Sequence, residues 1–156
     1  MRPFCSIVLA CAALALTACR HNAATEESSS PEFTWGPAPA VFPAGAQMAV
    51  IQGNPGSNQP FTVRLRFPDG YRIAPHTHPT DEHVTVLRGT ILVGMGEKTD
   101  AKSMQALGIG GFVTAPANHA HYAQARGETV VQVHAIGPFA LTYVNPADAP
   151  RPSASR

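Results

Sequence analysis

The stretch Gly70–Gly89, GYRIAPHTHPTDEHVTVLRG, decides how this chain folds. It contains His76, His78 and Glu82, and side chains along a strand alternate faces with period two. His76 and His78 therefore project to one side, and Glu82, Val84 and Val86 follow on that side if the phase continues past Pro79. Two imidazoles and a carboxylate converging on one face make a site that a divalent ion can fill. Turn-forming runs flank it, Arg66-Phe67-Pro68-Asp69-Gly70 before and Leu87-Arg88-Gly89-Thr90 after. The expectation is a short antiparallel unit held between two turns. A second stretch, Gly110–Ala125 (GGFVTAPANHAHYAQA), supplies His121 as a fourth candidate ligand.

Outward from these stretches the pattern stays β. Phe61–Phe67 alternates strictly, which puts Phe61, Val63, Leu65 and Phe67 in the core and Thr62, Arg64 and Arg66 outside. Further strands are expected at Ala49–Gln52, Tyr71–Ala74, His83–Arg88, Thr90–Met95, Phe112–Ala115, His119–Ala125, Thr129–Ile136 and Leu141–Val144. Gly96–Ala106 reads as a polar connection with room for a short helical turn. Charged residues make up only 13% of the 156 residues, while Pro (15) and Gly (13) are frequent. That composition suits eight to ten short strands joined by tight turns, an all-β antiparallel jelly roll.

The two stretches resemble the paired motifs of the cupin superfamily. In its first motif a Gly is followed, five residues on, by His-x-His, then Glu, then a closing Gly; Gly70, His76, His78, Glu82 and Gly89 match. In its second motif Gly110, Pro116 and His121 match. Asn118 stands where Gly is usual, and Ala125 where Asn is usual. Asn tolerates a left-handed backbone better than most residues, so the turn is still expected. The resemblance implies a double-stranded β-helix of the RmlC-like kind. It also implies one divalent transition metal (Mn, Fe, Ni, Cu or Zn) on His76, His78, Glu82 and His121, and a small-molecule ligand. Glu82 is in addition a candidate catalytic base, because a cation beside it keeps it ionised.

The amino terminus reads differently. Met1-Arg2-Pro3 is a short positive start, Phe4–Leu16 is almost entirely apolar, and Leu16-Thr17-Ala18-Cys19 resembles a bacterial lipobox. Residues 1–18 are thus expected to be a signal peptide and Cys19 the lipidated residue. A plain signal peptide cut nearby and an uncleaved anchor are the alternatives, although the apolar run is short for a span of about 20 residues. Residues 19–34 are expected to form a flexible tether, 35–146 the barrel and 147–156 a disordered tail. Phe33, Trp35 and Phe42 can anchor the Pro-rich approach to the barrel by burial. The protein would then face the periplasm from the envelope. The outer membrane is favoured, because Arg20 is not the Asp that retains lipoproteins at the inner one. Cys5 and Cys11 leave with the signal and Cys19 is blocked, which excludes thiolate zinc sites and a cysteine nucleophile in the mature domain.

Loss of Arg2 leaves ten Lys and Arg against ten Asp and Glu, with no basic run, so nothing favours nucleic acid. Six of the seven His lie between His76 and His134. His83 is expected to point away from the ligands by parity. His119 lines the pocket entrance or caps a turn. Gln132 and His134 either line the cavity, touching the ligands or the substrate, or face outward opposite Val131 and Val133. Tyr122 and Tyr143 are read as packing residues, and Arg64, Arg66 and Arg88 as solvated. Two functional classes stay open. One is a metal-dependent oxygenase or isomerase acting on a small molecule; the other is a non-catalytic metal or small-ligand binding lipoprotein. A homodimer is one assembly left open.

Overall fold

The computed structural model describes residues 33–151. The signal segment, Cys19 and most of the tether therefore lie outside the described residues, as does the end of the tail. Nine strands follow in chain order: β1 (Gly36–Pro37), β2 (Gln47–Gln52), β3 (Pro60–Phe67), β4 (Arg72–Thr77), β5 (Glu82–Met95), β6 (Gln105–Leu107), β7 (Phe112–Ala115), β8 (His121–Ile136) and β9 (Thr142–Tyr143). All pairings are antiparallel, in the order β1-β2-β3-β8-β4-β9, and β5 pairs with β6, β7 and β8.

β5 and β8 are the long strands, of 14 and 16 residues, and each serves both halves of the curled sheet. The second half of β8 pairs with β3 and with the start of β5; its first half pairs with β4 and with the end of β5. Leu87–Thr90 is therefore a kink within one strand and not the turn expected from its composition. The register shifts between Val86 and Arg88 and again between Arg88 and Thr90. Gly89 sits there at φ 73°, and a Cβ on it would meet the Glu128 carbonyl oxygen at 2.4 Å. A bulge with glycine at positive φ bends a strand without ending it. The separate strands expected at His119–Ala125 and Thr129–Ile136 merge in the same way, with Gly127 at φ 71° in the bend. The buried Thr129 hydroxyl donates across this corner to the Thr90 carbonyl at 3.0 Å.

The strict alternation of β3 is realised. Phe61, Val63, Leu65 and Phe67 are buried, and they face Val131, Val133 and Ala135 of β8 and Val86, Ile91 and Val93 of β5. Each such side chain contributes roughly 1.5–3 kcal/mol on burial. Thr62 is buried as well, against expectation. Arg64 and Arg66 are half-buried, with their guanidinium groups 4.4 Å and 4.1 Å from the ring centres of Phe33 and Trp35. These cation–π contacts fasten the approach segment to the outer face of β3.

A tyrosine fastens the next connection. Tyr122 packs over Gly94, where an added Cβ would lie 2.3 Å from its ring. Its hydroxyl accepts from the Asp100 amide at 3.0 Å and holds down the 96–104 connection, which contains a turn at Asp100–Ser103 rather than a helical segment. Within the expected tail, Pro146–Asp148 form a one-turn 3-10 helix whose Ala147 amide is capped by the Asn145 side chain.

Candidate metal centre

β4 ends on His76 and Thr77, and β5 begins at Glu82, so the ligands of the first stretch sit around one tight connection. Ile73 and His76 both face inward although they are three residues apart, because the β4–β8 register shifts between them. The bulge resets the strand phase, and His78 and Glu82 follow His76 to the interior. On the other side His121 opens β8, directly opposite His76. The preceding turn places Asn118 at φ 59° and lets its amide donate to the His78 carbonyl at 2.8 Å. The substitution of Asn for the usual Gly is accommodated there, and this bond ties the two stretches together.

His76, His78, His121 and Glu82 are all buried. One ring nitrogen from each of the three His lies within 4.8 Å of the other two. Every imidazole turns its Nδ1 to a backbone carbonyl: His76 to Ala74 (2.8 Å), His78 to Ala140 (2.7 Å) and His121 to His119 (3.1 Å). A carbonyl only accepts, so each Nδ1 carries a proton, and a ring without a second proton keeps a lone pair on Nε2. The Nε2 atoms of His78 and His121 are buried without a hydrogen-bond partner. Glu82 Oε2 lies 3.5 Å and 3.3 Å from them. A buried cluster of lone pairs without a donor is unfavourable by itself, and a cation at its centre resolves it. The three His can thus hold a metal ion, with Glu82 beside them, and the nitrogen and oxygen donors suit a transition ion.

Electrostatics agree with this donor set. Burial, followed by the field of His121, pushes His76 down to about 3. Burial also lowers His78, although Glu82 and the Ala140 carbonyl oppose it. Burial alone would raise the Glu82 carboxyl; the His121 imidazole against it and the fields of His78 and His76 outweigh this and hold it below its usual range. At neutral pH the site therefore presents two uncharged imidazoles, His76 and His78, and a carboxylate.

The ligands open into a cavity of about 50 Å³, counted as room for the centres of water-sized molecules. Its remaining lining is apolar throughout, including Leu65, Ile73, Val84, Val93 and Val131. His119, Gln132 and His134 do not line it. His119 is exposed and contributes only its carbonyl, to His121. Gln132 and His134 face outward, because Val131 and Val133 on the same strand face the core. His134, His83, Thr62 and Thr114 form one cross-strand row on that outer face, with Thr62 bonded to His134 (2.9 Å) and Thr114 to His83 (3.0 Å). The sequence reading missed Phe139, whose ring stacks on His78 at 4.9 Å, and gave Phe42 an anchoring role without placing it in the cavity wall. An aromatic residue following Gly137-Pro138 was the available signal for Phe139.

A curled antiparallel sheet closed around an apolar interior is the double-stranded β-helix fold, and solved structures share it. An uncharacterized conserved protein with a double-stranded β-helix domain from Klebsiella pneumoniae matches at TM-score 0.50 and 22% identity, over 66% of this chain and 90% of that one. A candidate acetylacetone dioxygenase from Methylibium petroleiphilum PM1 matches at TM-score 0.59 and 22% identity, over 77% and 81%. The polyketide cyclase RemF from Streptomyces resistomycificus matches at TM-score 0.61 and 14% identity, over 76% and 84%. The chain belongs to the family described as domain of unknown function DUF4437, whose model matches residues 43–151. No curated protein matches the chain.

Proposed function

We propose that this chain is a mononuclear metal-dependent cupin, an oxygenase or isomerase acting on a small chelating molecule, and that lipid on Cys19 holds it at the cell envelope. The observation that carries the reading is the convergence of three buried imidazoles, with the Glu82 carboxylate 3.3 Å and 3.5 Å from two of them, in an apolar-walled cavity. A divalent ion bound by His76, His78, His121 and Glu82 would supply Lewis acidity and open positions for a substrate oxygen. The chain supplies the rest. The apolar lining excludes water and accepts a hydrocarbon body, so the polar end of a ligand is directed to the ligand cluster. Glu82 is the one carboxylate in the lining and is held ionised, which makes its Oε atoms the proton acceptor at hand. Fold relatives of different chemistry, a candidate dioxygenase and a cyclase, support a small-molecule site without choosing the reaction.

A non-catalytic binding role is the second reading. It is favoured by the absence, among the described residues, of any titratable cavity-lining group beyond the ligand set. Turnover separates the two. Metal-loaded protein is expected to carry one ion per chain by elemental analysis and to consume dioxygen, or isomerise, with small β-dicarbonyl or α-hydroxycarbonyl compounds. Stabilisation by these compounds without turnover selects the binding role, and protein that acquires no metal overturns the enzymatic reading and leaves only small-ligand binding. For the envelope, the support is the apolar Phe4–Leu16 run ending in Leu16-Thr17-Ala18-Cys19. Cys19→Ser should release the domain to the soluble periplasmic fraction or leave an unprocessed precursor. A variant that stays on the membrane at the same mature mass defeats the lipid anchor.

A further inference from the structure

Residues 38–46 run from β1 to β2 as a strap across the barrel wall. The Ala38 amide donates to the Ala46 carbonyl at 3.0 Å and closes its base, and the Phe42 amide donates to the Pro39 carbonyl at 2.9 Å, which turns Phe42 inward. Phe42 is only 5% exposed and lines the cavity beside His76 and His78. Its ring lies 6.5 Å from that of Phe139, the ring that stacks on His78. Two barrel hydroxyls hold the strap on either side of Phe42: Tyr143 donates to the Val41 carbonyl at 2.9 Å and Tyr71 to the Pro43 carbonyl at 2.6 Å. Ala40, Ala44 and Gly45 are exposed.

The wall is therefore of two kinds. Leu65, Ile73, Val84 and Val131 sit on laddered strands and cannot withdraw without breaking the sheet. Phe42 sits on a connection, and freeing it breaks two side-chain hydrogen bonds, its contact with Phe139 and the burial of its own ring, but no bond of the sheet. Connections of this kind, rather than the strands they join, are where a barrel opens.

We propose that the strap is a removable wall of the metal site, in which Phe42 sets the size of the ligand body admitted and Tyr71 and Tyr143 are its latches. This rests on the reading of the cavity as a small-molecule site and narrows it. With the strap closed, the ligand is a chelating head carrying no more than a small alkyl group; a ring-sized body is admitted only when Phe42 is out of the way.

The test uses the full chain loaded with Co²⁺, whose visible spectrum reports ligand binding, and two chelators that differ only in body, acetohydroxamate and benzohydroxamate. The wild type should bind acetohydroxamate the more tightly. Phe42→Ala should tighten benzohydroxamate by tenfold or more and move acetohydroxamate by less than threefold. Phe42→Leu, the milder truncation, should fall between and guards against loss of the fold. The double variant Tyr71→Phe with Tyr143→Phe should keep the wild-type preference but bind acetohydroxamate at least fivefold faster. An unchanged ratio of the two affinities in both Phe42 variants overturns the proposal, and an unchanged association rate removes the latches. A metal-free arm stands apart from the metal reading: benzene should raise the Tm of metal-free Phe42→Leu or Phe42→Ala but not of wild type. If Co²⁺ binds none of the proteins, the metal reading fails while the benzene arm still decides the role of Phe42; equal stabilisation of all proteins by benzene overturns it.

Discussion

His78→Ala should strip the protein of its ion. His78 is one of three buried imidazoles whose nitrogens lie within 4.8 Å of one another, and two protein ligands plus a carboxylate cannot match the full set. The cluster is assembled from residues some forty positions apart, so the unfolded chain has no equivalent site, and binding stabilises only the fold. At free metal a hundredfold above Kd the gain is about 2.7 kcal/mol, and at a thousandfold about 4.1 kcal/mol. For a domain of this size that raises Tm by roughly 10 °C. The wild type should show this rise with at least one of Mn, Fe, Ni, Cu and Zn, and lose it on chelation; His78→Ala should show neither change. His83→Ala should behave as wild type, because its imidazole faces outward against Thr114. Elemental analysis after desalting is the direct measurement. A His78→Ala protein that retains one tightly held ion while His83→Ala loses it would mean that the ligand assignment is wrong.

The second large effect is acid lability of the metal-free protein. Unfolded imidazoles titrate near 6.5, whereas folded His76 is held at about 3 and His78 is also lowered. Below about pH 6.5 the unfolded chain therefore binds more protons than the folded one, and stability falls as pH falls. His76 costs up to about 1.4 kcal/mol per pH unit in that window, and His78 acts in the same direction. Glu82, also lowered, acts in the same direction but at more acid pH, since the stability it contributes is lost only as its own carboxylate protonates. The unfolding free energy from urea titrations should be nearly level from pH 8 to 7 and drop between pH 6.5 and 5, by about 1.7 kcal/mol for His76, with His78 adding to the fall. His76→Gln should flatten the slope by roughly one imidazole's share. A midpoint that does not move between pH 7 and 5 rules out buried neutral imidazoles.

Much of this site was legible because cation ligands are chemically conspicuous and a strand has only two faces. His76, His78, Glu82 and His121 stand out as residue types, and their spacing carries the resemblance that also foretells the barrel. What composition misplaced were the joints. Gly89 and Gly127 look like turn residues, and in isolation they are; only their cross-strand partners turn each into a bend inside a strand. The faces of Gln132 and His134 depend on which side of β8 meets the core, and apolar Val131 and Val133 alternate with them equally well in either orientation. The β4 bulge, which brings Ile73 and His76 to the same side, is marked in the sequence only by Pro75, which cannot donate to the ladder. Phe139 escaped notice because its contact with His78 joins residues far apart in the chain.

The doubled membership of β5 and β8 bears on how the molecule comes apart. A sandwich of two independent sheets has a seam, and solvent can enter by prising the faces open. Here the same two backbones are stitched through both faces, so no line of separation exists that spares them. Opening must begin at the margins, in the short β1, β6 and β9, and the centre yields only when everything does. Glu82 is the first residue of one stitching strand and His121 the first of the other. The ligand cluster is thus sewn to the part of the chain that lets go last, and whatever chemistry it supports survives local fraying elsewhere.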